Sequence, residues 1–234
     1  KYNFKVIEDA SHAVGGKYQN QPIGNCKYSD ITVFSFHPVK IITTAEGGMA
    51  MTNDKKLAEK LNLARSHGIT RDESLMTEAS HGPWYYQQID LGFNYRLTDI
   101  QAALGINQMK RIDEFVKIRN SLANRYDDLL TDLPVRLPIQ PSYCYSARHL
   151  YVIRLKDQNS HKAVFEKMRD MGIGVNLHYI PVHLQPYYKN LGHKMGDYPV
   201  AEEYYASAIS LPLYTQLTHI QQDEVVAALK AAVE

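Results

Sequence analysis

The sequence predicts an α/β fold with a smaller α+β portion behind it, and two observations carry that expectation. Short apolar runs alternate with segments of helical periodicity through the first half, and after a proline-rich break a strand–helix–strand pattern resumes on a smaller scale. The boundary falls near Asn120, giving a first domain over residues 1–119 and a second over 120–234.

Phe4-Lys5-Val6-Ile7-Glu8-Asp9 reads as a buried strand ending on an acid, with small residues behind it for a tight turn. A natural domain rarely opens inside a core strand, so a preceding part of the protein is expected. Residues 31–36 form a second strand candidate, and Gly47-Gly48 turns the chain into a third. Residues 53–65 carry Leu57, Leu61 and Ala64 on one face behind an Asn/Asp start, the signature of a capped amphipathic helix. Residues 68–92 are polar and aromatic without clear period, which predicts a long functional loop. From 98 to 131 apolar residues recur at three- and four-residue steps, as in two helices or one bent helix. Pro134, Pro138 and Pro141 make a linker. A strand at 151–155, a helix at 160–171 with Ser160 as N-cap, a strand at 175–179 and helices at 199–207 and 220–233 complete the reading.

Bulk composition excludes several classes. The 234 residues are 44% hydrophobic, enough for a real core. Twenty-six Lys and Arg against 25 Asp and Glu leave a net charge of +1, so no long-range field draws nucleic acid or an anionic membrane. No run approaches the roughly 20 apolar residues of a membrane span, and no secretory pattern opens the chain. A soluble cytoplasmic enzyme is expected, with Cys26 and Cys144 as free thiols.

Chemistry concentrates in Phe34-Ser35-Phe36-His37-Pro38-Val39-Lys40 and the Thr43-Thr44-Ala45-Glu46-Gly47-Gly48 that follows. A lysine just past a core strand sits where α/β folds place ligands. Burial there lowers its pKa and leaves a neutral amine able to condense with an aldehyde. A lone lysine is more often a solvated surface charge. Asp9, at the end of a neighbouring strand, changes the balance, because a carboxylate there can keep a pyridine nitrogen protonated. The plainer alternative for Asp9 is a helix cap. Ser35 is placed to contact a phosphate.

Five blocks in order resemble the signatures of the DegT/StrS-type sugar aminotransferases: Glu8-Asp9-Ala10-Ser11-His12-Ala13, Ser35-Phe36-His37-Pro38-Val39-Lys40, Glu46-Gly47-Gly48, Gly92-Phe93-Asn94-Tyr95-Arg96 and His178-Tyr179-Ile180-Pro181-Val182-His183. The resemblance implies the C-terminal part of a PLP-dependent transferase large domain (aspartate aminotransferase-like, fold type I), followed by the small α+β domain. It implies pyridoxal 5'-phosphate as cofactor, held by Lys40, with Asp9 at the ring nitrogen, His12 beside the ring and Ser35 at the phosphate. Asn94 would reach the cofactor of a partner subunit, making the active species a homodimer. His178, Tyr179 and His183 would face the sugar nucleotide. Outside the family, the favoured reading of His12 is a core histidine and that of Asn94 a loop-capping amide. His178 and His183 do not have the spacing of a common metal site, so no metal is expected.

The segment 68–92, with Thr70-Arg71-Asp72 and Gly82-Pro83-Trp84-Tyr85-Tyr86, resembles the subgroup that aminates C4 of a UDP-linked 4-keto-6-deoxy sugar in pseudaminic acid biosynthesis, with L-glutamate as donor. Related sugar dehydratases carry histidine in place of the lysine, so Lys40 argues for the aminotransferase. The remaining alternative is a non-catalytic sugar-nucleotide-binding module or an inactive fragment of such an enzyme.

Overall fold

A computed structural model describes Tyr2 and residues 4–234. In chain order the elements are β1 (Ile7–Asp9), β2 (Lys17–Tyr18), β3 (Gln21–Pro22), β4 (Ile31–Ser35), β5 (Gly48–Met51), α1 (Lys55–Ala64), β6 (Ile69–Thr70), β7 (Gln87–Gln88), α2 (Asp99–Met109), α3 (Ile112–Leu129), β8 (Val135–Arg136), β9 (Cys144–Tyr145), β10 (Tyr151–Leu155), α4 (His161–Asp170), α5 (Pro186–Asn190), α6 (Pro199–Tyr205), β11 (Ala208–Leu211) and α7 (His219–Val233). They divide into two compact units, residues 1–113 with 143–147, and residues 114–142 with 148–234. No helix among the described residues is long and apolar enough to cross a membrane, and both cysteines are free thiols.

The first unit is organised by the sheet β1-β4-β5, in which β1 runs parallel to β4 and β5 antiparallel to it. Strand β4 alternates as its sequence requires, with Thr32 and Phe34 buried and Val33 exposed. The expected buried strand over residues 4–9 is corrected to three residues, with Ile7 68% exposed. Strand β1 lies at the edge of the sheet, so its apolar residues have a paired neighbour on one side only. Helix α1 begins where Asp54 Oδ1 accepts from the N–H groups of Lys56 and Leu57 at 2.8 and 3.2 Å. The stretch expected as two helices or a bent one is two, and Thr98 opens α2 with a reciprocal capping box to Gln101.

The second unit packs α3, α4 and α7 with the antiparallel sheet β11-β10-β8. Tyr126, Tyr151, Ile153, Met168, Ile209 and Leu229 are its fully buried centre. Strand β10 alternates with Tyr151, Ile153 and Leu155 inward, and Ile153 pairs with Ile209 across the ladder. The buried Gln222 is satisfied by donating to Leu122 O at 2.7 Å and accepting from Arg125 Nη1 at 3.2 Å.

Two local expectations are overturned here. Residues 175–179 form no strand, only one bridge between Asn176 and Ser210. Asn176 Oδ1 accepts from the Leu177 N–H at 2.8 Å, a local bond that takes the amide a ladder would need. Ser160 precedes α4 without a capping bond, because a single 3₁₀ turn over Gln158–Ser160 comes first and is capped instead by Asp157, which accepts from the Asn159 N–H at 3.0 Å.

Ile153 makes the packing argument testable. Ile153→Ala should lower unfolding free energy by about 2–5 kcal/mol, the usual cost of emptying a fully buried aliphatic site. Urea denaturation of the variant against the parent chain checks this, and an unchanged midpoint would contradict the placement of β10 at the centre of the unit.

Candidate active site

The parallel register sets the frame of the first site. Asp9 pairs with Val33, and Ser35 lies one pleat further along β4, so the side chains of Asp9 and Ser35 leave the same face of the sheet at its carboxyl edge. The chain then makes a tight turn in which the Lys40 N–H donates to His37 O at 2.9 Å. Lys40 is half-buried at the end of that turn.

Phe36 closes the loop that carries the lysine. Its N–H donates to Gly47 O at 2.8 Å, and its carbonyl accepts from Thr44 N at 3.0 Å and from Thr43 Oγ1 at 2.9 Å. Thr44, also buried, donates through Oγ1 to Glu46 O at 2.8 Å. Gly47 has φ +154° with Leu97 and Thr44 against its Cα, so a side chain there has neither the backbone conformation nor the room. Helix α2 lays one face on this loop. Gln101 Nε2 donates to Glu46 O at 2.9 Å, Gln108 Oε1 accepts from Thr43 N at 3.0 Å, and a Cβ on Gly105 would stand 2.7 Å from Thr44 Cγ2.

The charges are matched to a lysine-centred chemistry. Burial pulls the Lys40 ammonium below the usual lysine range, against the opposing attraction of Asp9. The Ser11 hydroxyl, then the Ser11 N–H, hold the Asp9 carboxyl below the usual carboxylate range, with His12 and Lys40 adding in the same direction. Both Ser11 bonds, 2.5 Å from Oγ and 3.0 Å from N, fall on Oδ1. Oδ2 is thereby left to accept from a ligand.

Asp9 thus interacts electrostatically with both His12 and Lys40, and Ser35 lies on the adjoining strand end, where its Oγ accepts from the His37 N–H at 3.4 Å. Asn94 is exposed in the same unit and bridges to Ser66 through its backbone. Its segment is clamped to the end of α1 by Phe93 N to Ala64 O at 2.6 Å and Tyr95 N to Arg65 O at 2.9 Å.

The second unit holds the other three residues. His178 Nδ1 meets Ser210 Oγ at 2.7 Å, and its ring lies edge-on to Tyr179, which is 61% exposed. His183 is buried, with Nε2 2.8 Å from Glu202 Oε1. Tyr179 and Tyr198 line a cleft of about 640 Å³ with Pro181, Val200 and Tyr204. Sequence reading missed Glu202, the hub of this region. It accepts from Gly196 N at 2.8 and 2.9 Å and from His183, and the His183 bond is the chief reason its carboxyl lies below the usual glutamate range. No local signal marks that residue, because its partners lie up to 19 positions away. Ser11 was within reach, since Asp-x-Ser is a common side-chain-to-backbone turn.

Comparison with known proteins places these residues in context. The model of the DegT/DnrJ/EryC1/StrS aminotransferase family matches residues 1–230. An uncharacterised protein of Methanocaldococcus jannaschii is 40% identical over 237 residues, covering 99% of this chain and 61% of that protein. A Campylobacter jejuni protein named UDP-4-amino-4,6-dideoxy-N-acetyl-beta-L-altrosamine transaminase is 37% identical over 222 residues, covering 93% of this chain and 55% of its own length. Among solved structures, Helicobacter pylori PseC, described as an aminotransferase of pseudoaminic acid biosynthesis, superposes with TM-score 0.89 at 31% identity, covering 98% of this chain and 60% of that one. A Streptococcus pneumoniae protein described as a sugar aminotransferase, in its PMP form, gives TM-score 0.90 at 30% identity, covering 98% and 59%. The expected fold type I aminotransferase architecture is met, and the chain spans about three fifths of the length of the relatives first matched.

Two titrations follow from the carboxylates. Asp9 has a depressed folded pKa, so its contribution to stability is present above the unfolded value and is lost as pH falls through the folded one. Ser11→Ala should move the Asp9 midpoint upward, read by the carboxyl carbon shift in an NMR titration; an unmoved midpoint would remove Ser11 as the cause. Glu202 has the same sign. The stability gap between the parent chain and Glu202→Gln should close as pH falls from about 5 to about 3, and a gap constant with pH would show that His183 and Gly196 do not depend on the charge.

Proposed function

Because the chain belongs to the DegT/DnrJ/EryC1/StrS aminotransferase family, whose members depend on pyridoxal phosphate, we propose that the protein transfers the amino group of L-glutamate to a nucleotide-linked keto sugar. The finer substrate is a UDP-linked 4-keto-6-deoxy sugar on a route to pseudaminic acid or a related amino sugar. The transaminase name of the Campylobacter relative supports that choice. The observation that carries the reading is Lys40, half-buried in the turn that follows β4, electrostatically coupled to Asp9 at the end of the adjacent parallel strand β1.

The donor set fits the cofactor. Lys40 offers the amine, Asp9 Oδ2 offers an acceptor not used by Ser11, and Ser35 offers a hydroxyl on the same face of the sheet. Pyridoxal phosphate, when bound, supplies an aldehyde and a ring that accepts electron density. Lys40 Nζ would bind that aldehyde and, once displaced by the amino donor, carry the proton from the donor's α-carbon. Its depressed pKa raises the share of neutral amine available for both roles. Asp9 would hold the proton on the ring nitrogen, and Ser11 keeps Asp9 ionised for that purpose. His12 would orient the ring and Ser35 the phosphate. Asn94 would serve the cofactor of a second copy in a homodimer, and His178, Tyr179 and His183 the sugar nucleotide. The cytoplasm is the proposed location.

The test is an absorption spectrum of the purified chain with added pyridoxal phosphate, before and after borohydride reduction, followed by mass analysis of the labelled peptide. A visible imine band and a reduced adduct on Lys40 are expected, and Lys40→Ala should lose both. A folded chain with neither would reject the catalytic reading for this chain and leave the sugar-nucleotide-binding module.

A further inference from the structure

The lobe between β6 and β7 is tied together by its own hydrogen bonds and presents an aromatic ring to solvent. Trp84 is the only tryptophan in the chain and is 72% exposed. Exposing so large an apolar surface is unfavourable unless something covers it. The ring has one contact within the lobe. A Cβ on Gly82 would lie 2.8 Å from both Cη2 and Cζ2 of the indole, so the ring rests against the Gly82 backbone with its other side open. Gly82 has φ +147°, a conformation that also favours glycine.

The rest of the lobe braces this arrangement. Tyr85 N donates to Gly82 O at 2.9 Å, and Ser80 Oγ donates to the same carbonyl at 3.1 Å. The Tyr85 ring stacks with His81 at 4.4 Å, while its hydroxyl accepts from Gln87 Nε2 at 2.9 Å. Gln87 Oε1 in turn accepts from Thr77 N at 2.7 Å, tying the two limbs of the lobe together. Two residues beyond the indole, the exposed Tyr86 ring carries the Arg71 guanidinium at 5.9 Å from its centroid. Trp84 and Tyr86 are at most about 7 Å apart along the backbone. The backbone positions that carry the indole and the ring under Arg71 are therefore near neighbours.

We propose that Trp84 is a stacking platform for the pyranose ring of the nucleotide sugar, with Arg71 as the cation for its pyrophosphate. The electron-rich face of an indole attracts the polarised C–H face of a sugar ring, and a guanidinium pairs with phosphate oxygens in a fixed fork. This proposal rests on the reading of the protein as a nucleotide-sugar enzyme and adds a specificity-determining residue to it.

Because Trp84 is the sole tryptophan, its emission reports this site alone. The chain should be titrated with UDP-N-acetylglucosamine, with tryptophan emission and calorimetry followed in parallel. A saturable emission change that tracks the calorimetric isotherm is expected. Trp84→Ala should weaken binding about tenfold, Trp84→Phe should keep most of it, and Arg71→Ala should weaken UDP-N-acetylglucosamine more than N-acetylglucosamine. Calorimetric binding with silent emission, parent-like binding by Trp84→Ala, or absence of binding would each overturn the proposal. An emission change that follows protein concentration instead of ligand would also overturn it, and would assign the ring to a contact between copies. Labelling of Lys40 by pyridoxal phosphate is read separately, so sugar binding at Trp84 with no Lys40 adduct would reject the catalytic reading and leave this one standing.

Discussion

The site in the first unit depends on how Phe36 closes a loop. One buried residue takes the returning chain on both its backbone groups, donating to Gly47 and accepting from Thr43 and Thr44. The ten residues between Phe36 and Gly47 are thereby gathered at a single neck. Lys40 occupies the first turn inside it, so the closure sets where the backbone that carries its amine lies. The cost of that closure is visible at Ala45, which is held at φ +66°. Helix α2 supports the loop from outside, and it does so with an unusual face: Gln101, Gly105 and Gln108 in place of an apolar stripe. The loop presents backbone carbonyls and amides to that helix, and glutamine satisfies such groups where leucine would leave them unpaired.

That choice explains part of what the sequence does and does not disclose. Helices with a continuous apolar stripe, α3 above all, are legible because burial repeats at the helical period. Helix α2 is legible from the same run of apolar residues, yet the reason it matters is carried by two glutamines and a glycine, which no periodicity argument selects. Lys40 and Asp9 stand out as candidate chemistry, because a lysine just past one strand and an acid at the end of its neighbour are residue types that a carbonyl cofactor requires. Strand β11 is not. Ala208, Ile209, Ser210 and Leu211 are all buried, so the alternation that marks a half-exposed strand is missing, and the run is too short to stand out by hydrophobicity alone. The segment at 175–179 errs in the opposite direction. Val175, Leu177 and Tyr179 alternate as a strand should, but Asn176 redirects the backbone through its own side chain. Both failures come from interactions that a period-two pattern does not encode.

The two carboxylates that organise the units show how similar electrostatics serve different ends. Asp9 and Glu202 are each held ionised by donors that stabilise the charged form. At Glu202 the donors reach both oxygens. Oε1 takes His183 and Gly196, and Oε2 takes Gly196 as well. A carboxylate so fully engaged fixes the loop around it, and with it the tyrosine that faces Tyr179 across the cleft. At Asp9 both Ser11 donors converge on one oxygen, and the second is left open beside a lysine whose own charge is disfavoured by burial. Convergence of two donors on Oδ1 gains less than spreading them over both oxygens would. The same local rule, a serine two residues after an aspartate, would be an ordinary turn anywhere else in the chain. At the carboxyl end of a parallel strand, the edge where α/β folds place ligands, it sets the charge of an aspartate that Lys40 also favours.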